Sequence, residues 1–566
     1  MRKKRILWVG EASFLKTGYA VYAKEVLTRL HKTGKYIIAE LGSYGHWGDP
    51  NRMNIPWRYY GNMPTEGNEK EQRSYFSNPL NQFGEWSFEE VCLDFRPDAI
   101  FDIRDWWMFE FEQRSPLRRL FKWMIMPTVD SAPQDEQWIN TFLDADKVLA
   151  YSEFGKEVLE KQTSGILQVS DIASPGANLD IFKPVKNKKE HRNKYNLDND
   201  AFIIGTVMRN QRRKLYPDLM QAFRKFVDEN PILSKNVYLY LHVTYPDYGW
   251  DIPKLIREHG LGNKVLVTYR CRKCNGIFPS FFQDARMVCV HCGSSTASMP
   301  STRFGVSTEQ LADIYNMFDV YVQYANSEGF GMPQIEAASC GIPVMTVDYS
   351  AMSSVGKNLG CYMIEVERFF REHDTSTYRA LPSNEDFIKK LKNFINLPFS
   401  IKAQKSRKAL GVVRRIYNWD NTAKIWEKNI DDLEISEESM WDSKPHINNP
   451  PERLPEETKN LSNEDFVRWC IRYIWDRSDM DGSYFVSKMI RDLNYGLKTS
   501  SAGGVYFNEA SYLGDLNRLE DFGRKQAFQK ILDLAHMRNY WEKRRVNMIQ
   551  VTPIPLVENS KPGELE

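Results

Sequence analysis

Residues 319–348, DVYVQYANSEGFGMPQIEAASCGIPVMTVD, read as strand, loop, helix and strand. Asp319–Ala325 is a short, mostly apolar run of strand length. Asn326–Gly331 is polar and carries two glycines, which suits a turn, and the helix opens after it. Pro343–Asp348 is the next apolar run. This alternation is the unit of a parallel sheet. Just upstream, Ser307 and Gln310 form a capping box, and Leu311, Ile314, Tyr315 and Phe318 make the apolar stripe of another helix.

The same pattern extends outward. Ala201–Met208 (AFIIGTVM) is a candidate buried strand, and Leu219, Ala222, Phe223 and Phe226 share one helical face. Val237–Val243 and Lys264–Tyr269 read as strands. The first third alternates in the same way. It has strands at Arg5–Gly10, Tyr36–Leu41, Ala99–Ile103, Trp123–Val129 and Lys147–Ser152, and a helix after Gly18. Residues 45–86 read as an irregular insertion. The expectation is an α/β chain with two Rossmann-like domains facing a cleft, residues 1–183 and 184–410. A small ribbon at 270–302 interrupts the second. A long helical stretch spans 401–430. After a proline-rich linker (Pro445, Pro450, Pro451, Pro455), a mainly helical extension covers 440–552, and a disordered tail covers 553–566.

Composition narrows the function classes. The 566 residues carry 76 Lys plus Arg against 74 Asp plus Glu, so a polyanion site must be a local patch. The chain is 42% hydrophobic and 13% aromatic, which excludes a mostly disordered protein. No run reaches the ~20 apolar residues of a membrane span, and the apolar opening stops at Glu11, too short for a signal peptide core. The expected compartment is the cytoplasm. The basic run Lys186–Lys194 reads as solvated surface.

Open α/β sheets bind ligands at the carboxyl ends of their strands. There, Glu328 and Glu336 stand eight residues apart, one on the loop and one on the helix. Two such carboxylates can reach separate hydroxyls of one polar ligand. Gly329 and Gly331 let backbone amides approach it, and the helix N-terminus suits a phosphate. A second loop, Gly205–Pro217 (GTVMRNQRRKLYP), places Arg209 and Lys214 after a buried strand, where cations can grip a diphosphate. Arg212 and Arg213 add charge nearby. Each motif alone also fits a bland role, a capped helix start or a solvated basic loop.

Together these motifs resemble the family-four retaining glycosyltransferases of GT-B fold. Ala337–Val344 (AASCGIPV), Ser174–Pro184 (SPGANLDIFKP), Ser152–Gly155 (SEFG) and Trp419–Trp426 (WDNTAKIW) extend the likeness over roughly residues 5–430. The resemblance implies a nucleotide-diphosphate sugar as donor. Glu336 would bind the ribose hydroxyls. Glu328 would contact the donor sugar with the Gly329–Phe330–Gly331 backbone. Arg209 and Lys214 would hold the diphosphate, Gly18 would face it, and a helix at 411–435 would cross back to the first domain. The family often has a histidine near Pro127–Pro133 (PTVDSAP). This chain offers Asp130 instead, a candidate for positioning the sugar or for a turn.

Cys271-x2-Cys274 and Cys289-x2-Cys292 account for four of eight cysteines. Paired this way, four thiolates suit a structural Zn2+ with no open catalytic position. Arg270, Arg272, Lys273, Arg286, Phe278, Phe281 and Phe282 are interleaved on the same ribbon. That suits a docked acceptor, nucleic acid included, or a small core. Trp106–Trp123, with Arg114, Arg118, Arg119 and Lys122, is a second basic-aromatic stretch that also reads as an amphipathic helix. Asp198-x-Asp200 and Asp479-x-Asp481 read as turns. The leading expectation is an enzyme acting on a large acceptor: glycan, lipid, protein or a hydroxylated base in DNA. The alternative is an inactive nucleotide-sugar-binding scaffold working through its ribbon.

Overall fold

Strand β1 (Arg5–Glu11) is apolar and buried through its middle five residues, as a strand covered on both faces must be. β2 (Ile37–His46) lies parallel to it, with Ile6 opposite Ile38 and Val9 opposite Leu41. β3 (Arg58–Met63), β4 (Ala99–Asp102), β5 (Lys122–Ile125) and β6 (Lys147–Ala150) complete a parallel run in the order β3-β2-β1-β4-β5-β6. The structure is a computed structural model. It describes the chain apart from Met1 and residues 65, 285, 302–303, 436–439, 495–497, 500–504, 507–515 and 550–566. The tail expected at 553–566 lies outside the described residues.

The chain divides into two compact units. The first holds residues 1–127, 136–148 and 431–566, and the second holds 128–135 and 149–430. In the first, the insertion read as irregular supplies β3. That strand seats against the end of β2 because Gly61 has no side chain; a Cβ there would stand 2.2 Å from the Trp47 nitrogen. The helices Asn463–Cys470 and Tyr484–Asn494 and the long helix Leu516–Ile549 build their own core around Phe466, Ile474, Trp475 and Ile531. They are tied to the first sheet's surroundings by buried polar groups. Arg477 donates to the carbonyls of Gln113 (3.1 Å) and Ser115 (3.2 Å). The fully buried Glu542 accepts from Arg119 and from Arg545, the latter at 2.7 Å. The proline-rich segment is anchored too, since the Asn448 amide donates to Asn539 at 3.0 Å.

The second unit contains β7 (Val169–Ile172), β8 (Phe202–Val207), β9 (Val237–His242) and β10 (Val265–Cys271). Next come β11 (Ile277–Phe281), β12 (Arg286–Met287), β13 (Ala297–Ser298), β14 (Val320–Gln323), β15 (Val344–Val347) and β16 (Tyr362–Ile364). The parallel core runs β10-β9-β8-β14-β15-β16. The chain therefore starts in the middle at β8, builds outward one way, then returns to build the other way from β14. This is a topological switch point between β8 and β14. The face Leu219, Ala222, Phe223 and Phe226 is fully buried on the helix Tyr216–Glu229, and the Ser307–Gln310 capping box is present. The stretch 401–430 is two helices, Phe399–Arg415 and Trp419–Asp431, because Asn418 turns the chain and caps the second through the Asn421 amide (3.0 Å). An antiparallel hairpin, β17 (Val366–Arg371) with β18 (Tyr378–Pro382), had no counterpart in the sequence reading.

Candidate active site

The two loops at the switch point are stitched together by backbone. Lys214 bridges Ala325, the Leu215 amide reaches the Tyr324 carbonyl at 3.2 Å, and the Asn326 amide reaches Arg213 at 2.9 Å. This pairing brings Lys214 onto Glu328, and the amine bonds directly to Oε1. Both residues are buried, at 6% and 5% exposure. Gln323 donates to the same oxygen at 2.6 Å, and Arg213 stands 3.8 Å from the other. The Glu328 amide donates to the Ser350 hydroxyl at 3.0 Å. Burial lowers the Lys214 pKa to about 8, against the pull of the Glu328 carboxylate.

Arg209, on the same loop as Lys214, has a side chain 46% exposed. Its guanidinium forms a two-bond fork with Asp247, at 3.0 and 3.2 Å. Asp247 is itself held by the Thr244 hydroxyl (2.7 Å) and the Tyr248 amide (2.9 Å). Glu336 sits in the first turns of the helix Met332–Ser339 and accepts from the Tyr315 hydroxyl at 2.7 Å. Burial pushes its carboxyl up to about 7, against that hydrogen bond. Gly331 caps the helix at φ 86°, a left-handed geometry that favours glycine. Gly329 is equally constrained: a Cβ there would meet the Thr128 methyl at 2.5 Å. Phe330 is buried, edge-on to Tyr417 at 5.7 Å between ring centres.

Asp130, also in the second unit, accepts from Arg379 at 2.6 Å and from the Ser131 hydroxyl at 2.9 Å. Lys214, Glu328, Arg209, Glu336, Gly329, Phe330, Gly331 and Asp130 thus belong to one compact unit. Gly18 belongs to the other, where it opens the helix Gly18–Thr33 capped by Thr17. Gly205, read as part of the phosphate loop, is buried on β8. Its role there is packing, since a Cβ would collide with the Phe318 ring at 2.1 Å. Sequence reasoning missed Gln323, Ser350, Asp247 and Arg379. Gln323 alone left a signal, a polar residue inside an otherwise apolar strand.

The four cysteines converge. Their sulfurs all lie within 4.8 Å of one another, with Cys271–Cys292 at 3.7 Å and Cys274–Cys289 at 3.6 Å. A tetrahedral ion with metal–sulfur bonds of about 2.3 Å needs sulfurs about 3.8 Å apart. The Gly276 and His291 amides each point at a sulfur, at 3.4 Å. The donor set therefore fits a metal ion. The ribbon is continuous with the sheet: β10 ends on Cys271, and β11 and β13 pair with it antiparallel. Arg270 and Arg272 both stack on Phe304, at 4.1 and 4.6 Å. Among the described residues, no helix is long and apolar enough to cross a membrane.

Comparison with known proteins bears on this geometry. Residues 302–366 match the family described as glycosyl transferases group 1. The D-inositol 3-phosphate glycosyltransferase of Streptomyces bingchenggensis is 25% identical over 208 residues, 37% of this chain and 39% of that protein. The one from Gordonia bronchialis is 23% identical over 212 residues, with the same coverage. The matched segment is thus well under half the length of these relatives. Among solved structures, sucrose-phosphate synthase from Thermosynechococcus elongatus superposes with TM-score 0.55 at 17% identity, over 76% of this chain and 99% of that one. Anabaena Alr3699/HepE in complex with UDP-glucose gives 0.51 at 12% identity, over 76% and 100%. The chain therefore shares the GT-B fold of these solved structures, and its residues 302–366 match the group 1 glycosyl transferases.

Proposed function

We propose that the protein is a retaining glycosyltransferase that moves a sugar from a nucleotide-diphosphate sugar to an acceptor hydroxyl. The observation that carries this reading is the buried Lys214–Glu328 pair at the β8/β14 switch point, with Arg213 3.8 Å from Glu328, Arg209 on the same loop and Glu336 on the following helix. A buried ammonium next to a second cation suits a diphosphate leaving group. Both charges strengthen their hold as the glycosidic bond breaks and negative charge gathers on the phosphate oxygen, an effect worth several kcal/mol in a water-poor site. Glu328 faces the donor sugar, with the tight Gly329–Gly331 turn presenting backbone to it. Glu336 takes the ribose hydroxyls, and Asp130 lies on the sugar side. Diphosphate chemistry of this kind is served by side-chain cations and needs no divalent metal.

The solved relative bound to UDP-glucose supports a nucleotide sugar as donor. The acceptor is large: the ribbon and the C-terminal helices add surface beyond what donor binding uses. A hydroxylated base in DNA is one acceptor that the ribbon's arginines would suit. The four cysteines would hold a structural Zn2+, which supplies folding energy to the ribbon and takes no part in transfer. The reading places the protein in the cytoplasm. Its test is a pair of substitutions: Glu328→Ala and Lys214→Ala should each abolish transfer while the fold survives. Full activity in either variant would sink the assignment.

A further inference from the structure

The hairpin β17–β18 belongs to neither sheet, yet it is joined to both loops that flank the proposed sugar site. Its backbone is bonded on one side to the Glu328 loop, where the Ala380 amide donates to the Asn326 carbonyl at 3.0 Å. On the other side the Tyr378 amide donates to Ala132, two residues past Asp130, also at 3.0 Å. Between these two attachments sits Arg379, a charged side chain only 8% exposed. Its Nη1 donates to Asp130 at 2.6 Å and to the Ser327 hydroxyl at 2.5 Å. Its Nε and Nη2 donate to Glu372 at 3.0 and 2.7 Å. Ser327 immediately precedes Glu328.

We propose that Arg379 is a positioning residue of the donor-sugar site, locking Asp130 and the Glu328 loop into one rigid assembly through Asp130, Ser327 and Glu372. This rests on the glycosyltransferase reading above. The planar guanidinium is suited to the task, because its fork serves Glu372 on one edge while its other end serves Asp130 and Ser327. Lysine offers a point charge and cannot span both. Asp130 keeps an accessible edge, at 24% side-chain exposure, so a carboxylate held from behind can still meet a sugar hydroxyl. Arg379 itself, buried behind it, touches no substrate and acts only through its partners. Loss of the clamp would leave the diphosphate cations in place and displace the groups around the sugar, and misplacement on the scale of an ångström costs ~100-fold in rate.

The test first finds the donor by screening UDP-, GDP- and ADP-sugars for nucleotide release, then uses the matching nucleoside diphosphate as the binding probe. Arg379→Met should lower turnover by ~100-fold while the probe's Kd stays at the wild-type value. Arg379→Lys should recover part of the rate by restoring the charge on Asp130. The double variant Arg379→Met with Asp130→Asn should be no slower than the worse single variant, because both remove one linkage. Wild-type turnover in Arg379→Met would overturn the proposal. So would a loss of probe affinity that tracks a fall in thermal midpoint, which marks a merely structural arginine, or independent, multiplying effects in the double variant. A wild-type protein that neither binds nor cleaves any donor would instead overturn the function reading, before any variant is made.

Discussion

Under the proposed function, Lys214 makes donor binding depend on pH, with a sign set by its burial. Burial holds its pKa at about 8 in the ligand-free protein, against an ordinary 10.5. That fall corresponds to about 3 kcal/mol of preference for the neutral amine. A diphosphate needs the ammonium and holds it protonated once bound. The binding-competent fraction therefore falls as pH rises through 8: roughly nine-tenths at pH 7 and a quarter at pH 8.5, so the apparent Kd rises about fourfold between them. Stability has the opposite sign. Between pH 8 and 10.5 the unfolded chain keeps a proton that the folded protein has released, so this residue's contribution to stability rises with pH. The assay is calorimetric titration of the nucleoside diphosphate at pH 7.0 and 8.5, with Lys214→Met as reference. The variant must first be shown to fold, because it strands the Glu328 carboxylate; breaking a buried pair costs about 3–5 kcal/mol. The variant should bind more weakly with a flat profile, which subtracts any titration of the ligand. A flat profile in the wild type, or the same slope in Lys214→Met, would refute the reasoning.

Other consequences follow from single contacts. Gly329→Ala should destabilise the protein by about 1–3 kcal/mol and slow transfer, because its methyl would press on Thr128; chemical denaturation and a rate assay check both. Asp247→Asn removes the charge from the carboxylate that orients Arg209, so donor KM should rise about tenfold at little cost in thermal midpoint. Glu336→Gln keeps an acceptor for the Tyr315 hydroxyl and removes a carboxylate that titrates near 7. Its folded pKa is raised, so stability falls as pH rises from the ordinary 4.5 to about 7, and the full penalty on the ionised form stands above that. The variant should therefore be the more stable protein at pH 8 and the weaker donor binder. Cys274→Ser should release one equivalent of zinc, read by atomic emission, and leave the thermal midpoint of the ribbon-bearing unit several degrees lower.

Parts of this architecture were legible because they depend on local periodicity. The buried stripe from Leu219 to Phe226, the Ser307–Gln310 cap and the loop from Asn326 to Gly331 all came from residue spacing. So did the cysteine cluster, since paired CxxC knuckles leave little freedom. What escaped depends on pairing between distant segments. No local signal says that β8 neighbours β14, yet that adjacency is what joins Lys214 to Glu328. β3 was hidden in a polar, glycine-rich stretch because an edge strand needs only one partner. The hairpin β17–β18 exposes most of its first strand, so it lacks the apolar alternation that marks a sheet. The anchoring of the C-terminal helices rests on buried arginines bonded to carbonyls, which in sequence look like ordinary surface charge. Asp247 and Arg379 were missed for the same reason.

The central claim is that the β8/β14 site cleaves a nucleotide sugar. Purified protein would be incubated with a panel of nucleotide sugars, without acceptor, and the free nucleoside diphosphate measured. The account predicts slow release from one donor, absent in Glu328→Ala. No release from any donor, together with no detectable binding, would contradict it and leave an inactive scaffold.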